Sequence, residues 1–265
     1  MIGAYPNNIV QMKNLRLFLF ISLSIALASC KKDDPSDVII DDISPTSPQL
    51  SLSYKFEVNE SAFNTNESYR ISDSLYVKFE TVQFYLSNIS LLKENESIKS
   101  INDVVLLKTS NTNANLGDFT SGLYTGLKFS FGLDSLRNHA DPSQYSSNNP
   151  LALQNPSMHW GWDQGYIFAI IDGKYSTDSL TESNLGSSFS YHIAKDENYK
   201  DSVSLAFPTS ILVNANQTSE VKIKINLANI FNGLSMPSDN STTSSVNAVL
   251  ARRVRDNLIN GIRLD

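Results

Sequence analysis

The most chemically distinctive part of the sequence is the segment 158–166, Met-His-Trp-Gly-Trp-Asp-Gln-Gly-Tyr, which holds both tryptophans of the chain. If this backbone is extended, Met158, Trp160 and Trp162 point to one face and His159 points to the other, because side chains alternate along a strand. Spacing alone favours a layer of the core, where large aromatic side chains are common. The alternative is a metal or redox site, since methionine and histidine suit copper better than magnesium or calcium.

The other groups that could do chemistry are scattered along the chain. The histidines are His139, His159 and His192, and none of them belongs to a local catalytic signature such as G-x-S-x-G or H-E-x-x-H. We therefore expect no enzymatic activity, and a hydrolase would rest only on unconnected serine, histidine and aspartate residues. A set of hard oxygens near the tryptophans is a candidate calcium site, although its spacing follows no loop template. It comprises Asp134, Asn138, Asp141 and Asp163.

The overall charge excludes one large class of partner. The formal net charge is −6 and the pI is near 5.1, so the chain lacks the basic face that would neutralise nucleic-acid phosphates. The only cysteine is Cys30, which excludes an intramolecular disulfide and a cysteine-based zinc site. We expect the fold to depend on its hydrophobic core.

The first 30 residues have the layout of a secretory signal that ends in a lipidation site. Lys13 and Arg16 accompany an apolar run over residues 15–27, which is too short to span a hydrocarbon core of about 30 Å. The Leu-Ala-Ser-Cys ending resembles a bacterial lipobox, which predicts cleavage before Cys30, acylation of that cysteine and a true start at Met12. The acyl chains would anchor the protein in a membrane. A buried helix followed by a chance cysteine is the alternative.

Residues 31–49 connect this signal to the body of the protein. They are rich in Asp, Ser and Pro, a composition typical of a flexible tether. The Lys-Lys-Asp-Asp sequence that follows Cys30 resembles the export signal of Bacteroidetes lipoproteins, and so predicts an outer-membrane lipoprotein exposed at the cell surface. A solvated charged leader on an inward-facing lipoprotein is the other interpretation.

From Leu50 onward the hydrophobic pattern has a period of two, which is typical of half-buried strands. Such runs occupy residues 50–58, 75–79, 82–92, 127–133, 166–171, 203–207 and 221–227, and turn-rich residues 111–117, 138–149, 172–173 and 177–186 lie between them. Near the end, apolar residues recur at helical spacing, with Ser244 or Ser245 as the N-cap and Gly261 at the C-terminus. They are Val246, Val249, Leu250, Val254, Leu258 and Ile262. The sequence predicts a mostly β fold, a single β-sandwich domain over residues 50–265 with one C-terminal helix.

Several blocks together resemble the MbnP-like family, relatives of the copper-binding proteins of methanotrophs. They are residues 84–91, 122–129, 131–135, 158–168, 172–173 and 189–193, followed by the terminal helix with Asn257. The resemblance extends over roughly residues 50–260. It implies a β-sandwich that binds copper through histidine, with a nearby tryptophan oxidised to kynurenine by a partner di-haem enzyme.

Some of the family's site residues have counterparts in this sequence, and one is missing. His192 matches a Tyr-His-Ile position, and Trp160 and Trp162 match a Trp-x-Trp motif. His159 stands where the family more often has tyrosine. Phe56 stands where members with a copper site carry a histidine in the first strand, so a two-histidine site would need His139 or His159 as a substitute.

Two hypotheses follow for function. The first is a copper-binding lipoprotein with His192, His159 and Met158 as candidate metal ligands and Trp160 or Trp162 as the oxidised residue. The second is a non-metal surface module, in contact with carbohydrate or protein, that kept the fold and lost the copper site. The missing first-strand histidine and the Ser/Asn-rich loops favour the second, and metal uptake by the purified protein distinguishes the two.

Overall fold

The strands of this chain form two sheets that pack face to face. A computed structural model describes residues 46–94, 96–161, 164–178 and 185–265, so the predicted signal, Cys30 and the tether up to residue 45 lie outside the described residues. The strands are β1 (Gln49–Val58), β2 (Ser61–Ala62), β3 (Tyr69–Ser72), β4 (Leu75–Leu92), β5 (Ser97–Lys99), β6 (Val105–Lys108), β7 (Asn113–Asp118), β8 (Gly122–Phe131), β9 (Ile167–Ser176), β10 (Ser187–Ala194), β11 (Lys200–Val213), β12 (Thr218–Asn226), β13 (Ser241–Thr242) and β14 (Ile262–Leu264). The helices are α1 (Ser135–Asn138) and α2 (Ala248–Asn260), with short 3-10 helices at Pro142–Gln144, Asp196–Asn198 and Leu227–Phe231. Within the described ranges, no helix combines the length and the apolar character needed to cross a membrane.

The smaller sheet has the order β14-β12-β1-β2, with β7 also pairing with β1. Its central strands β1 and β12 run parallel, with Leu52 opposite Val221. The larger sheet has the order β11-β8-β4-β9-β10-β13, and β3, β5 and β6 also pair with β4. This arrangement confirms the predicted mostly β sandwich with one C-terminal helix.

The core lies between the two sheets and is rich in phenylalanine. Along β1 the alternation predicted from the sequence is confirmed, with Leu50, Leu52 and Tyr54 all buried. Phe56 continues this row, and its ring meets Phe84 of β4 edge-on at 6.2 Å between centroids. Each such side chain removed from water contributes about 1.5–3 kcal/mol, so these alternating rows are what hold the sheets together.

Two turn predictions were wrong because polar residues and glycine also occur within strands. Residues 113–118 form β7, an edge strand that pairs with β1, and there polar side chains face solvent. Residues 172–173 lie inside β9, where a Cβ on Gly173 would collide with the main-chain oxygen of Lys78 and the ring of Phe189. Gly173 therefore allows close packing within a strand and does not mark a turn.

Strand β4 is longer than predicted. The two separate runs at 75–79 and 82–92 join into one strand of 18 residues. An irregularity in its pairing with β9 between Phe79 and Thr81 absorbs the break in alternation that separated them in the sequence, as β-bulges do.

Helix α2 begins later than predicted. Asn247 is the N-cap, because its side-chain oxygen accepts the N–H of Leu250, so the prediction of Ser244 or Ser245 was wrong. Leu250, Val254 and Leu258 are buried as expected, whereas the predicted apolar positions Val246 and Val249 are exposed. Val246 precedes the helix, and Val249 falls on the solvent side of its first turn. Gly261 ends the helix, in agreement with the prediction.

A third layer covers the outer face of the larger sheet. The connection between α1 and β9 crosses this face, where the Tyr85 hydroxyl donates to the main-chain oxygen of Pro150 at 2.9 Å. Tyr166 meets the Tyr85 ring edge-on with centroids 5.9 Å apart. Gln83 is 3% exposed although its side chain points away from the sandwich core. This covering layer ends in the segment that carries the tryptophans.

Candidate functional site

The tryptophan segment is a tight hairpin and not a continuous strand. His159 and Tyr166 form a β-bridge, and the N–H groups of Gln164 and Gly165 both donate to the Gly161 oxygen. Gly161 has φ +109°, a backbone conformation that favours glycine. The chain therefore reverses direction immediately after Trp160.

The two side chains on either side of His159 differ in burial. Met158 is 1% exposed and belongs to the core, whereas Trp160 is 37% exposed. Residues 158–160 are extended and pair with the returning chain, as the prediction of a common face for Met158 and Trp160 requires, so that prediction stays open for this pair. Trp162 and Asp163 lie outside the described residues, so the predictions made for them stay predictions.

Asn138 holds the hairpin against the rest of the domain. This fully buried residue accepts the Tyr166 N–H at its side-chain oxygen, at 2.8 Å, and donates from its Nδ2 to Asp196 Oδ1 at 2.7 Å. Gly165 has φ +71°, and a Cβ there would collide with Asn138. From the sequence alone Asn138 is only a candidate calcium ligand, because no local pattern indicates a contact between α1 and a distant hairpin.

His159 lies within the covering layer, and its two ring nitrogens have different surroundings. Its Nδ1 accepts the N–H of Gly161 at 3.0 Å, so the neutral ring carries its proton on Nε2. That Nε2 is buried and has no hydrogen-bond partner among the described residues. Burial also lowers the pKa of His159, and this effect exceeds the opposing influence of Asp141. A metal bound at Nε2 would require the Gly161 contact to be given up.

His192 occupies the outer face of the larger sheet beside three other functional side chains. Its Nε2 lies 3.2 and 3.3 Å from the two carboxylate oxygens of Asp172. The Ser190 hydroxyl donates to Asp172 Oδ1 at 2.7 Å and lies 3.4 Å from the same imidazole nitrogen. The Trp160 ring centroid is 6.0 Å from that of His192. We call these four residues (Trp160, Asp172, Ser190 and His192) the His192 face.

The pairing of β9 with β10 creates the His192 face. Ser190 stands directly opposite Asp172, and His192 stands two residues further along the same side of the sheet. The arrangement differs from a serine–histidine–aspartate triad, because the serine hydroxyl donates to the carboxylate and a single imidazole nitrogen faces both groups. The face therefore offers an imidazole, a carboxylate, a hydroxyl and an indole edge, all partly accessible to solvent.

Phe56 and His192 lie on opposite faces of the larger sheet. Phe56 packs on Phe84, which pairs with Ala169 in a core-facing row, whereas His192 pairs with Ile170 in the next, outward-facing row. Neighbouring rows of a sheet point to opposite sides. A histidine at position 56 would therefore be separated from His192 by the sheet itself.

The remaining predicted ligands are dispersed. His139 Nε2 lies 3.5 Å from Asp196 Oδ1 at the surface. Asp134 accepts the Arg137 N–H at the start of α1, and Asp141 accepts the Ser143 N–H at a 3-10 turn. In the part of the chain that the structure describes, no three His, Cys, Asp or Glu side chains converge on a point where they could hold a metal ion.

Copper, the metal implied by the family resemblance, can therefore be matched only to an open site. His192 and Asp172 supply nitrogen and oxygen ligands of the kinds that copper accepts, and their atoms are already adjacent. Met158 and the Nε2 of His159 are both buried, so neither adds a solvent-accessible ligand in this conformation. The residues fit a low-coordinate, solvent-accessible copper site in which other ligands come from water or a partner.

Comparison with known proteins identifies the family. The family model MbnP matches residues 47–247, and no curated protein matches the chain. Among solved structures, MbnP from Methylosinus trichosporium is similar, with 13% identity, a TM-score of 0.53, and coverage of 78% of this chain and 87% of that chain. At this identity the structural likeness supports the fold alone. The family model covers more than half of the 265 residues and confirms the resemblance read from the sequence: this chain belongs to the MbnP family.

Proposed function

We propose that this protein is a non-enzymatic lipoprotein of the outer membrane whose MbnP domain binds copper at the His192 face. One observation carries the copper assignment. The indole of Trp160 and the imidazole of His192, the two side-chain types that the family resemblance assigns to this site, lie 6.0 Å apart between ring centroids on one partly exposed surface. They come from segments more than 30 positions apart in the sequence, and the fold brings them together.

Each residue of the face has a distinct part in this proposal. His192 supplies the imidazole nitrogen and Asp172 a carboxylate oxygen, while the Ser190 hydroxyl holds that carboxylate in place. Trp160 covers one side of the imidazole and limits access of water. Bound copper would supply a one-electron redox centre next to the indole. A di-haem oxidase is the partner that the family implies for oxidation of Trp160 or Trp162.

The anchor proposed at Cys30 rests on the sequence of the first 30 residues. Burial of acyl chains contributes about 0.8 kcal/mol per CH₂ group, so several chains on one cysteine hold a protein firmly in a bilayer. We expect the full-length chain to fractionate with membranes and to incorporate labelled palmitate. Cys30→Ser should abolish both, and a variant that stays lipidated and membrane-bound would overturn this part of the proposal.

Copper binding is tested by metal analysis of the full-length chain in detergent after incubation with Cu(II), and separately with Cu(I) under reducing conditions. We expect close to a single equivalent of copper in the unaltered protein and loss of it in His192→Ala. His139→Ala is the matched control, because it removes a surface histidine that also faces an aspartate but has no ring contact with a tryptophan among the described residues. Retention of copper by His192→Ala, or equal loss in both variants, would assign the metal elsewhere.

The tryptophan provides an independent readout of the same site. Copper quenches indole fluorescence at short range, so titration should quench the unaltered protein more strongly than Trp160→Phe. Intact mass of the chain expressed with and without a di-haem oxidase would detect conversion of tryptophan to kynurenine. An unmodified protein that takes up neither form of copper would favour the second candidate, a non-metal surface module, for which the lack of a third ligand among the described residues is the supporting observation.

A further inference from the structure

A cleft of about 800 Å³ shares none of its lining residues with the His192 face. It lies between the free edges of β6 and β7 on one side and the segment 145–154 on the other. Its volume falls in the usual range for small-molecule sites. Leu106, Ala114 and Tyr145 are half-buried in its lining and give it a partly apolar floor.

The rim of the cleft is rich in asparagine amides that have an unused donor. Each of four asparagines accepts a hydrogen bond at its side-chain oxygen, from a hydroxyl or a main-chain N–H, and its NH₂ group has no partner among the described residues. They are Asn111, Asn115, Asn148 and Asn149. Because their oxygens already accept hydrogen bonds, these amides have donors left to offer a ligand. A ligand with many hydroxyl or ring oxygens matches such a rim.

Lys108 adds one positive charge that the cleft does not neutralise. Its Nζ donates to Gln154 Oε1 at 2.7 Å, and no described carboxylate forms an ion pair with it. Burial lowers the pKa of Lys108. The other cation of the cleft, Arg137, is neutralised by Asp103 at 2.8 Å and Asp134 at 3.1 Å. A partly buried cation whose neighbour is a neutral amide favours a ligand with a single anionic group.

We propose that this cleft binds an acidic saccharide of the uronic-acid type, with the sugar carboxylate on Lys108 and its hydroxyl and ring oxygens on the asparagine amides. The Tyr145 ring packs against the apolar face of a sugar ring. A phosphate is a poorer match, because Arg137, whose planar fork would bind a phosphate in bidentate fashion, is already engaged by carboxylates.

The test begins with the full-length chain in detergent on an array of neutral, uronic-acid-containing and sialylated oligosaccharides. Calorimetric titration with an oligogalacturonate and with a neutral galactose oligosaccharide of the same length follows. We expect binding of the acidic oligosaccharide and at least tenfold weaker binding of the neutral one. Loss of a hydrogen bond to a charged group corresponds to about a tenfold or greater change in Kd.

Variants then assign the charge to one residue. Lys108→Met keeps the aliphatic stem and removes the cation, so binding of the oligogalacturonate should weaken by about tenfold or more with an unchanged melting temperature. Lys222→Met is the matched control, because Lys222 is an exposed lysine on β12 outside the cleft, and it should bind as the unaltered protein does.

Three outcomes would overturn the proposal. They are the absence of any array signal for acidic saccharides, equal binding by Lys108→Met and the unaltered chain, and a preference for the neutral oligosaccharide. His192→Ala should retain full saccharide binding. The saccharide proposal can therefore hold if the copper proposal fails, and the copper proposal can hold if the saccharide proposal fails.

Discussion

Replacing Asn138 with alanine should loosen the tryptophan hairpin more than any other single change to a polar side chain of that region. The substitution removes the donor to Asp196 and the side-chain acceptor for the buried Tyr166 N–H. A hydrogen bond to a carboxylate contributes about 1.5–3 kcal/mol, which we reduce to about 1 kcal/mol because Asp196 is 46% exposed. The Tyr166 N–H keeps a second acceptor, the main-chain oxygen of Asn138 at 3.2 Å. Loss of the side-chain acceptor alone therefore costs about 1–2 kcal/mol.

The total is about 2–3 kcal/mol, which for a domain of this size lowers Tm by about 4–12 °C. Differential scanning calorimetry of Asn138→Ala against the exposed control Asn66→Ala measures this shift, and the control should stay within about 1 °C. The Trp160 emission spectrum should also shift to longer wavelength in Asn138→Ala as the hairpin becomes more solvated. A Tm equal to that of the control, with unchanged emission, would refute the inference that Asn138 holds this hairpin in place.

Three further predictions concern the core, a strand and a buried histidine. Leu258→Ala should reduce the free energy of unfolding by about 2–5 kcal/mol in urea titrations. Val249 is exposed on the same helix, so Val249→Ala should change it by less than about 0.5 kcal/mol. Similar values for the two variants would contradict the packing of α2. Gly173→Ala should destabilise by about 1–3 kcal/mol, while Gly186→Ala, with open space around a new Cβ, should be neutral in the same assay. Burial lowers the pKa of His159 below its usual value, so the unfolded state binds more protons in mildly acidic solution. Stability should therefore fall as the pH decreases from about 6.5 towards the folded-state pKa. His159→Phe should flatten this dependence in denaturant titrations at pH 7 and pH 5, and an unchanged slope would show that other groups cause it.

The strands with regular alternation could be predicted because burial on one face leaves a period of two in the sequence. β1 and β12 are of this kind, with Leu50 and Val221 each beginning a row of buried residues. Their partnership could not be predicted, because a parallel pairing between strands far apart in the chain leaves no local signal. Edge strand β7 was missed since its asparagines resemble a turn, and only its place beside β1 shows that the same residues are extended.

The candidate site was predictable in its residues and not in its geometry. His192 and Trp160 were identified from the family blocks, but the sequence gives no distance between them. Periodicity placed Met158 and Trp160 on one face, but it could not give their different burial or the turn at Gly161, whose φ is positive. Asp172 and Ser190 were missed as neighbours of His192 because their contact depends on the register between β9 and β10, which emerges only from the assembled sheet.

The parallel pairing of β1 with β12 also constrains the order in which the domain acquires its structure. Strands β4, β8 and β9 precede residue 177 and can pair with one another early, whereas β1 has no β12 beside it until the chain has continued past Thr218. Until then β1 can pair only with β2 and β7, and pairing between strands so far apart in the chain favours slow folding. We therefore expect the smaller sheet to be completed late, when the residues beyond Thr218 become available.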